Sequence, residues 1–98
     1  MTHELKIESK YFEDVLFRRK RFEVRKNDRS YKVGDTLVLY EIADGNRTGR
    51  RLVVEIDYIL NGSTFNPLNE YAVLGFTYIL YYPFRDFDES LFTAFHIY

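Results

Sequence analysis

Eight basic residues crowd into fifteen positions of this chain: Arg18, Arg19, Lys20, Arg21, Arg25, Lys26, Arg29 and Lys32. Only Glu23 and Asp28 oppose them, so the window 18–32 carries +6. The other 6 bases and 13 acids sum to -7, and the formal total is -1. The near-neutral total therefore hides a strongly polarised chain. A concentrated positive segment attracts phosphates, with an affinity that falls as salt rises. Its bland counterpart is a solvated, charge-rich edge.

Glu23 is the exception inside that window. On an extended strand its neighbours Arg21 and Arg25 share its face, ~7 Å to either side. A carboxylate between cations stays ionised. It can aim an arginine at a phosphate, or accept a hydrogen bond from a nucleobase amine. A structural ion-pair network is the other reading. Thr48-Gly49-Arg50 is a second candidate, in which a glycine turn brings backbone amides and an arginine to an anion, or simply forms a hairpin. Tyr31 and Tyr40 stand close in sequence to the basic window and can stack bases or pack into a core.

Much other chemistry has no support. There is no cysteine, which excludes disulfides, thiolate metal sites and a cysteine nucleophile. The two histidines, His3 and His96, have no metal-ligand spacing, so no metal site is expected and His3 reads as a structural tie for the first strand. Ser30, Thr36 and Thr48 have no histidine nearby, and no glycine loop cradles a phosphate. No cofactor is expected. There is no signal-peptide pattern and no apolar run near membrane-spanning length, so the expectation is a cytoplasmic protein without a membrane partner.

These residues need elements to hold them. The chain of 98 residues is 46% apolar and 18% aromatic, enough for one small domain. Glu4–Ile7 alternates as a strand. Ser9 stands as N-cap of a helix with Tyr11, Phe12, Val15 and Leu16 on one face. No glycine marks that helix's end, and Arg18–Arg21 suits its C-terminal dipole. Arg21–Arg25 alternates again: Phe22 and Val24 face one way, Arg21, Glu23 and Arg25 the other. Val33-Gly34-Asp35 turns into an apolar strand, Thr36–Ile42. Residues 43–49 read as a hairpin loop. A strand with Leu52, Val54, Ile56 and Tyr58 on one face follows. Residues 61–70 are a loop. Tyr71–Tyr81 is β-prone and broken at Gly75, where a bulge or close backbone approach is expected. Half of the eighteen aromatics fall in residues 76–98, and Ser90 is placed to cap a last short helix. The reading is an α+β fold: a small, mostly antiparallel β-barrel with an N-terminal helix beside a cleft. Residues 1–82 form the domain. Residues 83–98 form an aromatic tail packed on it, leaving a monomer or a weak homodimer through that tail.

The strings His3-Glu4-Leu5-Lys6-Ile7, Tyr11-Phe12, Lys20 to Arg29, Tyr31 to Leu37, Thr48-Gly49-Arg50 and Val73-Leu74-Gly75 together resemble the ASCH domain of the PUA-like superfamily. The branch resembled is a small bacterial and phage group of unknown function, described as RNA-binding-like. The resemblance covers roughly residues 3 to 76, and the string Lys20 to Asp35 is its specific part. It implies a barrel whose cleft holds RNA or a nucleotide-like ligand. Lys20, Glu23 and Arg25 fall on the family's lysine-glutamate-arginine motif, and Asp28 and Arg29 on its following polar loop. Lys26 adds charge within that stretch, and Arg50 and Tyr40 are expected on the rim. A glycine usually precedes the motif, where Arg18 or Arg19 stands here. A related ASCH branch hydrolyses acetylated cytidine, with a motif lysine and a threonine nucleophile three residues on. Lys20 matches the lysine, but Glu23 replaces the threonine, and a carboxylate does not substitute for that hydroxyl. RNA or nucleotide binding is therefore the leading expectation. Hydrolysis of a modified nucleoside by a Lys20–Glu23 pair is one alternative, and a phage or host protein-interaction module using the tail is another.

Overall fold

The computed structural model describes residues 1–61 and 70–83 in full, and the backbone of 96–97. Among the described residues one helix and eight strands follow in chain order: β1 Thr2–Glu8, α1 Ser9–Leu16, β2 Phe22–Lys26, β3 Thr36–Ala43, β4 Asn46–Glu55, β5 Tyr58–Asn61, β6 Tyr71–Gly75, β7 Ile79–Tyr82 and β8 His96–Ile97. The fold is mostly β with a single helix among the described residues, in agreement with the α+β expectation. The strands assemble into two sheets. A five-stranded sheet runs β1-β3-β4-β7-β8, and a three-stranded sheet runs β2-β6-β5.

Most pairings are antiparallel, as expected, but β1 and β3 run parallel from Thr2↔Thr36 to Glu8↔Ile42. The reason is the connection: α1 and β2 lie between them and carry the chain back to its starting end. β2 itself leaves for the other sheet. Among the described residues no ladder joins the two sheets or closes either on itself.

The core fills the space between the sheets. Leu37, Leu39, Leu52, Val54 and Ile79 of the large sheet meet Ala72 and Leu74 of the small one. α1 covers one end with Phe12, Val15 and Leu16, packed against β1 and β3. Ile56, fully buried, is the pivot between β4 and β5. Its amide donates to Asp35 O and its carbonyl accepts from Gly34 N, both at 2.8 Å. The single strand expected through Tyr58 is thus two strands in two sheets, and Tyr58 is exposed rather than core-facing.

Local chemistry explains the remaining boundaries. Asp44 and Gly45 both have positive φ, 52° and 79°, the requirement of a two-residue I′ hairpin, and Ala43 pairs directly with Asn46. The loop is therefore two residues long, and Thr48-Gly49 lies within β4 instead. Ser9 does not cap the helix. Glu8 holds the N-cap position without a side-chain bond, and the Ser9 hydroxyl donates to Ile42 O at 3.3 Å, tying α1 to β3. The helix stops at Leu16, before the basic run. Arg19 N donates to Asp14 O at 2.8 Å and Arg18 N to Val15 O at 3.0 Å. This is a Schellman closure, and Arg18 occupies the left-handed position that favours glycine, with φ 63°.

The β-prone segment after residue 70 does break at Gly75. The ladders on either side of Gly75 run without a bulge, and a Cβ there would lie 3.4 Å from Tyr58 Cβ, an ordinary contact, so β6 ends there without a steric need for glycine. Of the aromatic tail, β8 pairs with β7 through Ile79↔Ile97 and Leu80↔His96. The expected packing of residues 84–95 and the helix capped by Ser90 lie outside the described residues, as do residues 62–69 of the loop expected over 61–70.

Candidate functional site

β2 does separate its two faces, but with the charged side inward. Glu23 is 3% exposed, whereas Phe22 and Val24 are 45% and 44% exposed. The β6 register shows why. Glu23 stands opposite Leu74 and Arg25 opposite Ala72, both fully buried, so the charged face of β2 continues the core side of the small sheet. It is tolerated because every charge there is paired. Lys20 Nζ donates to Glu23 Oε1, and Arg25 Nε donates to Glu23 Oε2 at 3.0 Å. Lys20, not Arg21, is thus Glu23's second cation. The Schellman closure sets this up, because it turns Lys20 back beneath the helix end, with Lys20 N on Asp14 O at 2.9 Å.

Around this trio lies an open cleft of about 490 Å³ between β1, α1 and β2. Lys20, Glu23, Arg25 and Lys26 line it, joined by Lys6 and Tyr11. Its volume falls in the range of small-molecule sites. The Lys20 ammonium sits 4.9 Å from the Tyr11 ring centroid and 5.6 Å from that of Phe22, a cation held between two rings. Two of its three protons are left over from the Glu23 bond. A smaller hollow of about 150 Å³ adjoins, lined by Arg25, Lys26, Asp28, Arg29 and Tyr31. Six of the eight expected site residues are therefore gathered around the two hollows that share Arg25 and Lys26.

The two arginines also do structural work. Arg25 Nη2 donates to Lys6 O at 2.7 Å, and Arg29 Nη1 donates to Glu4 O at 2.9 Å. Both carbonyls lie on the side of β1 away from β3. Tyr31 is buried in the core, edge-on to His3 at 4.7 Å between ring centroids, and burial raises its phenol pKa. It packs into the core and is not free to stack a base.

Arg50 and Tyr40 lie elsewhere, in a separate hollow of about 330 Å³ with Arg47, Gly49 and Arg51. There β4 bulges: Tyr40 pairs with Arg51 but Ile42 pairs with Arg47, so Thr48, Gly49 and Arg50 all stand opposite Glu41. Gly49 makes the bend at φ 98°. The bulge wraps a buried carboxylate rather than an outside anion. Glu41 is 3% exposed and accepts from the Thr48 hydroxyl and from Arg50 Nε at 2.8 Å and Nη2 at 2.6 Å. Arg50 also donates to Glu13 Oε1 at 2.8 Å and to the Tyr81 hydroxyl at 3.4 Å, over the face of Phe12. The arginine bonds hold Glu41 below the usual carboxylate range and raise Arg50 further. Arg50 thus ties α1, β3, β4 and β7 together. Tyr40 donates to Glu4 Oε1 at 2.8 Å beneath the Arg47 guanidinium, and that bond raises its pKa.

Sequence reasoning passed over Glu41 and the lining residues Lys6 and Tyr11. Glu41 had a signal: it shares the parity of Leu37 and Leu39, the core face of β3, so an acid there required a buried partner. Lys6 had none, because its place in the cleft depends on β2 crossing to the other sheet.

A two-sheet α+β domain with a cationic cleft at the seam between its sheets is the class this fold and site define. The chain belongs to the family described as "Domain of unknown function (DUF3850)", whose model matches residues 2–76. It is also similar to the "Uncharacterized 12.9 kDa protein in GpA 3'region" of Escherichia phage P2. The two are 43% identical over 72 residues, which cover 74% of this chain and 64% of the phage protein, somewhat under two thirds of that protein's length.

Proposed function

We propose that the chain is an RNA- or nucleotide-binding module of ASCH/PUA-like type that takes its ligand in the Lys20–Glu23–Arg25 cleft. In this reading the two sheets wrap their shared core as a partly open barrel, and Arg25 and Arg29 bridge its seam at the edge of β1. The observation that carries the proposal is the buried Glu23 carboxylate. It fixes a lysine and an arginine on its two oxygens at the wall of the cleft, and neither cation spends all of its N–H groups on Glu23. Preorganised cations of this kind suit phosphate oxygens. Lys26, exposed on the same rim, adds charge without a structural duty among the described residues. The protein would act in the cytoplasm without a membrane partner. Among the described residues no helix is long and apolar enough to cross a membrane.

The test is an amide-shift titration with uridine monophosphate and a short single-stranded RNA at low salt. Shifts at residues 20–29, weakening with added salt and strongly reduced in Lys26→Glu, are the expected result. Unmoved amides across that segment would overturn the reading. The direct Lys20–Glu23 contact also favours a second reading, hydrolysis of a modified nucleoside such as acetylated cytidine, in which the pair would exchange a proton. Release of acetate from acetylcytidine, lost in Lys20→Ala, would establish it. Inactive wild-type protein would end it.

A further inference from the structure

The small sheet has a second face, and it is dressed for contact. Because Glu23 and Arg25 point inward, Phe22 and Val24 point out, and the register carries this across all three strands. Phe22 stands opposite Gly75, which stands opposite Tyr58. The next row is Val24, Val73 and Leu60, and the third pairs Lys26 with Tyr71. Phe22, Tyr58 and Tyr71 are 45%, 62% and 40% exposed. Three large rings therefore stand on one sheet face.

Their arrangement narrows the occupant. Phe22 and Tyr58 are separated by one strand whose residue in that row is glycine, so the two rings stand about 10 Å apart at their bases, with the Asp57 carboxylate beside the glycine between them. Each exposed ring offers a face on which a planar base can stack. Basic residues crowd the β2 edge of the same sheet. Arg21 and Lys26, both exposed, flank β2, and Lys20 leans over the Phe22 ring at 5.6 Å. On the far side Asp57 precedes β5, where it accepts from the Thr77 hydroxyl at 2.6 Å. A cationic edge beside exposed rings matches a single strand of nucleic acid lying with its phosphates along β2 and its bases turned over the sheet, where the Asp57 carboxylate can accept from a base amine.

We propose that the outer face of the β2-β6-β5 sheet is a stacking platform for unpaired nucleobases, with Phe22, Tyr58 and Tyr71 as its rings. The proposal rests on the nucleic-acid reading of the cleft and extends it. Phe22 lies at the boundary of both, so one strand can pass from the cleft's cations onto the platform. The cleft alone accommodates a mononucleotide. The platform makes affinity grow with length and tolerant of base identity.

The experiment compares uridine monophosphate with a labelled decauridylate. Binding is followed by anisotropy for the oligomer and amide shifts for the mononucleotide, using wild type, Tyr58→Ala and Tyr58→Ala/Tyr71→Ala. Both rings are exposed, so both variants fold; a dispersed amide spectrum checks this. Expected are a loss of at least tenfold in decauridylate affinity in the double variant and upfield shifts of the tyrosine ring protons in wild type. Mononucleotide shifts at residues 20–26 should be unchanged. Decauridylate binding equal to wild type, with those mononucleotide shifts present, overturns the platform and leaves the cleft standing. Wild type that binds neither probe overturns the cleft reading and the platform with it. Self-association that disappears in the double variant, with decauridylate affinity unchanged, assigns the face to a second copy and likewise overturns the platform.

Discussion

Arg25 donates through Nη2 to the main-chain carbonyl of Lys6 at 2.7 Å while its Nε holds Glu23. Arg29 repeats the first bond two residues back along β1, at Glu4. β1 is the edge strand of the large sheet, and an unguarded edge invites pairing with another chain. Guanidinium groups from the small sheet's side of the molecule occupy its alternate carbonyls instead, which blocks that edge and links the two sheets. Lysine keeps the charge but cannot span a carbonyl and a carboxylate together. Arg25→Lys should therefore lose about 1–2 kcal/mol of stability in urea unfolding, the worth of one charge-assisted bond. An unchanged midpoint would reduce Arg25 to a surface cation.

Arg18 carries backbone strain that glycine would relieve. Its φ of 63° belongs to the C′ position of a Schellman motif, and its Nη1 is buried without a hydrogen-bond partner among the described residues. A left-handed non-glycine residue costs roughly 1–2 kcal/mol, and glycine's greater freedom in the unfolded chain returns part of that. Arg18→Gly should raise stability by about 0.5–1 kcal/mol, read as a rise of about 3–6 °C in Tm for a domain of this size. A fall in Tm would mean that the guanidinium contributes more than its backbone costs.

Part of this arrangement was legible in the sequence. Alternation located β2 and β3 to within a residue at each end and the middle of β1, and Asp44-Gly45 announced its turn. The Lys20–Arg29 stretch was legible as charge, and six of the eight expected site residues do meet around adjoining hollows. Alternation cannot say which face is inward when the charged face is fully paired, so the burial of Glu23 depended on Lys20 and Arg25 reaching it. Nor could residue types separate Arg50 from Arg25. Both are arginines beside a polar turn, and only the bulge opposite Glu41 assigns Arg50 to the core. The sheet change at Ile56 was hidden because β4 and β5 continue one alternating pattern across it.

Glu41 and Arg50 form an ion pair whose carboxylate is almost fully enclosed, its side chain 3% accessible. Removing one charge leaves the other buried with its solvation unpaid, and a fully enclosed pair loses about 3–5 kcal/mol in that way. Arg50 keeps some exposure, with its side chain 28% accessible, and Glu13 remains as a partner. Glu41→Gln should accordingly cost about 2 kcal/mol in denaturant unfolding. Thr48→Val, which removes one neutral hydroxyl from the same carboxylate, should cost about 1 kcal/mol or less. Equal losses would show that the bulge, rather than the ion pair, is the stabilising unit.

Acid should find the structure's weak point at Asp35. Its carboxylate accepts from His3 Nε2 at 2.8 Å and from Lys32 N at 3.1 Å, which ties β1 to the turn before β3. The bond from His3, foremost, holds its pKa at about 2, below the ordinary 3.8. The folded state therefore binds this proton less readily than the unfolded chain does. The resulting stabilisation is complete above the unfolded value near 4 and is lost as pH falls through about 2. Stability measured by urea unfolding should thus decline between pH 4 and pH 2. Asp35→Asn should start lower at pH 7 and show a shallower decline across that window, because it has no proton to take up. If the variant's curve runs parallel to wild type through the window, the acid sensitivity belongs to other carboxylates, Glu41 first among them, since its pKa is also held down.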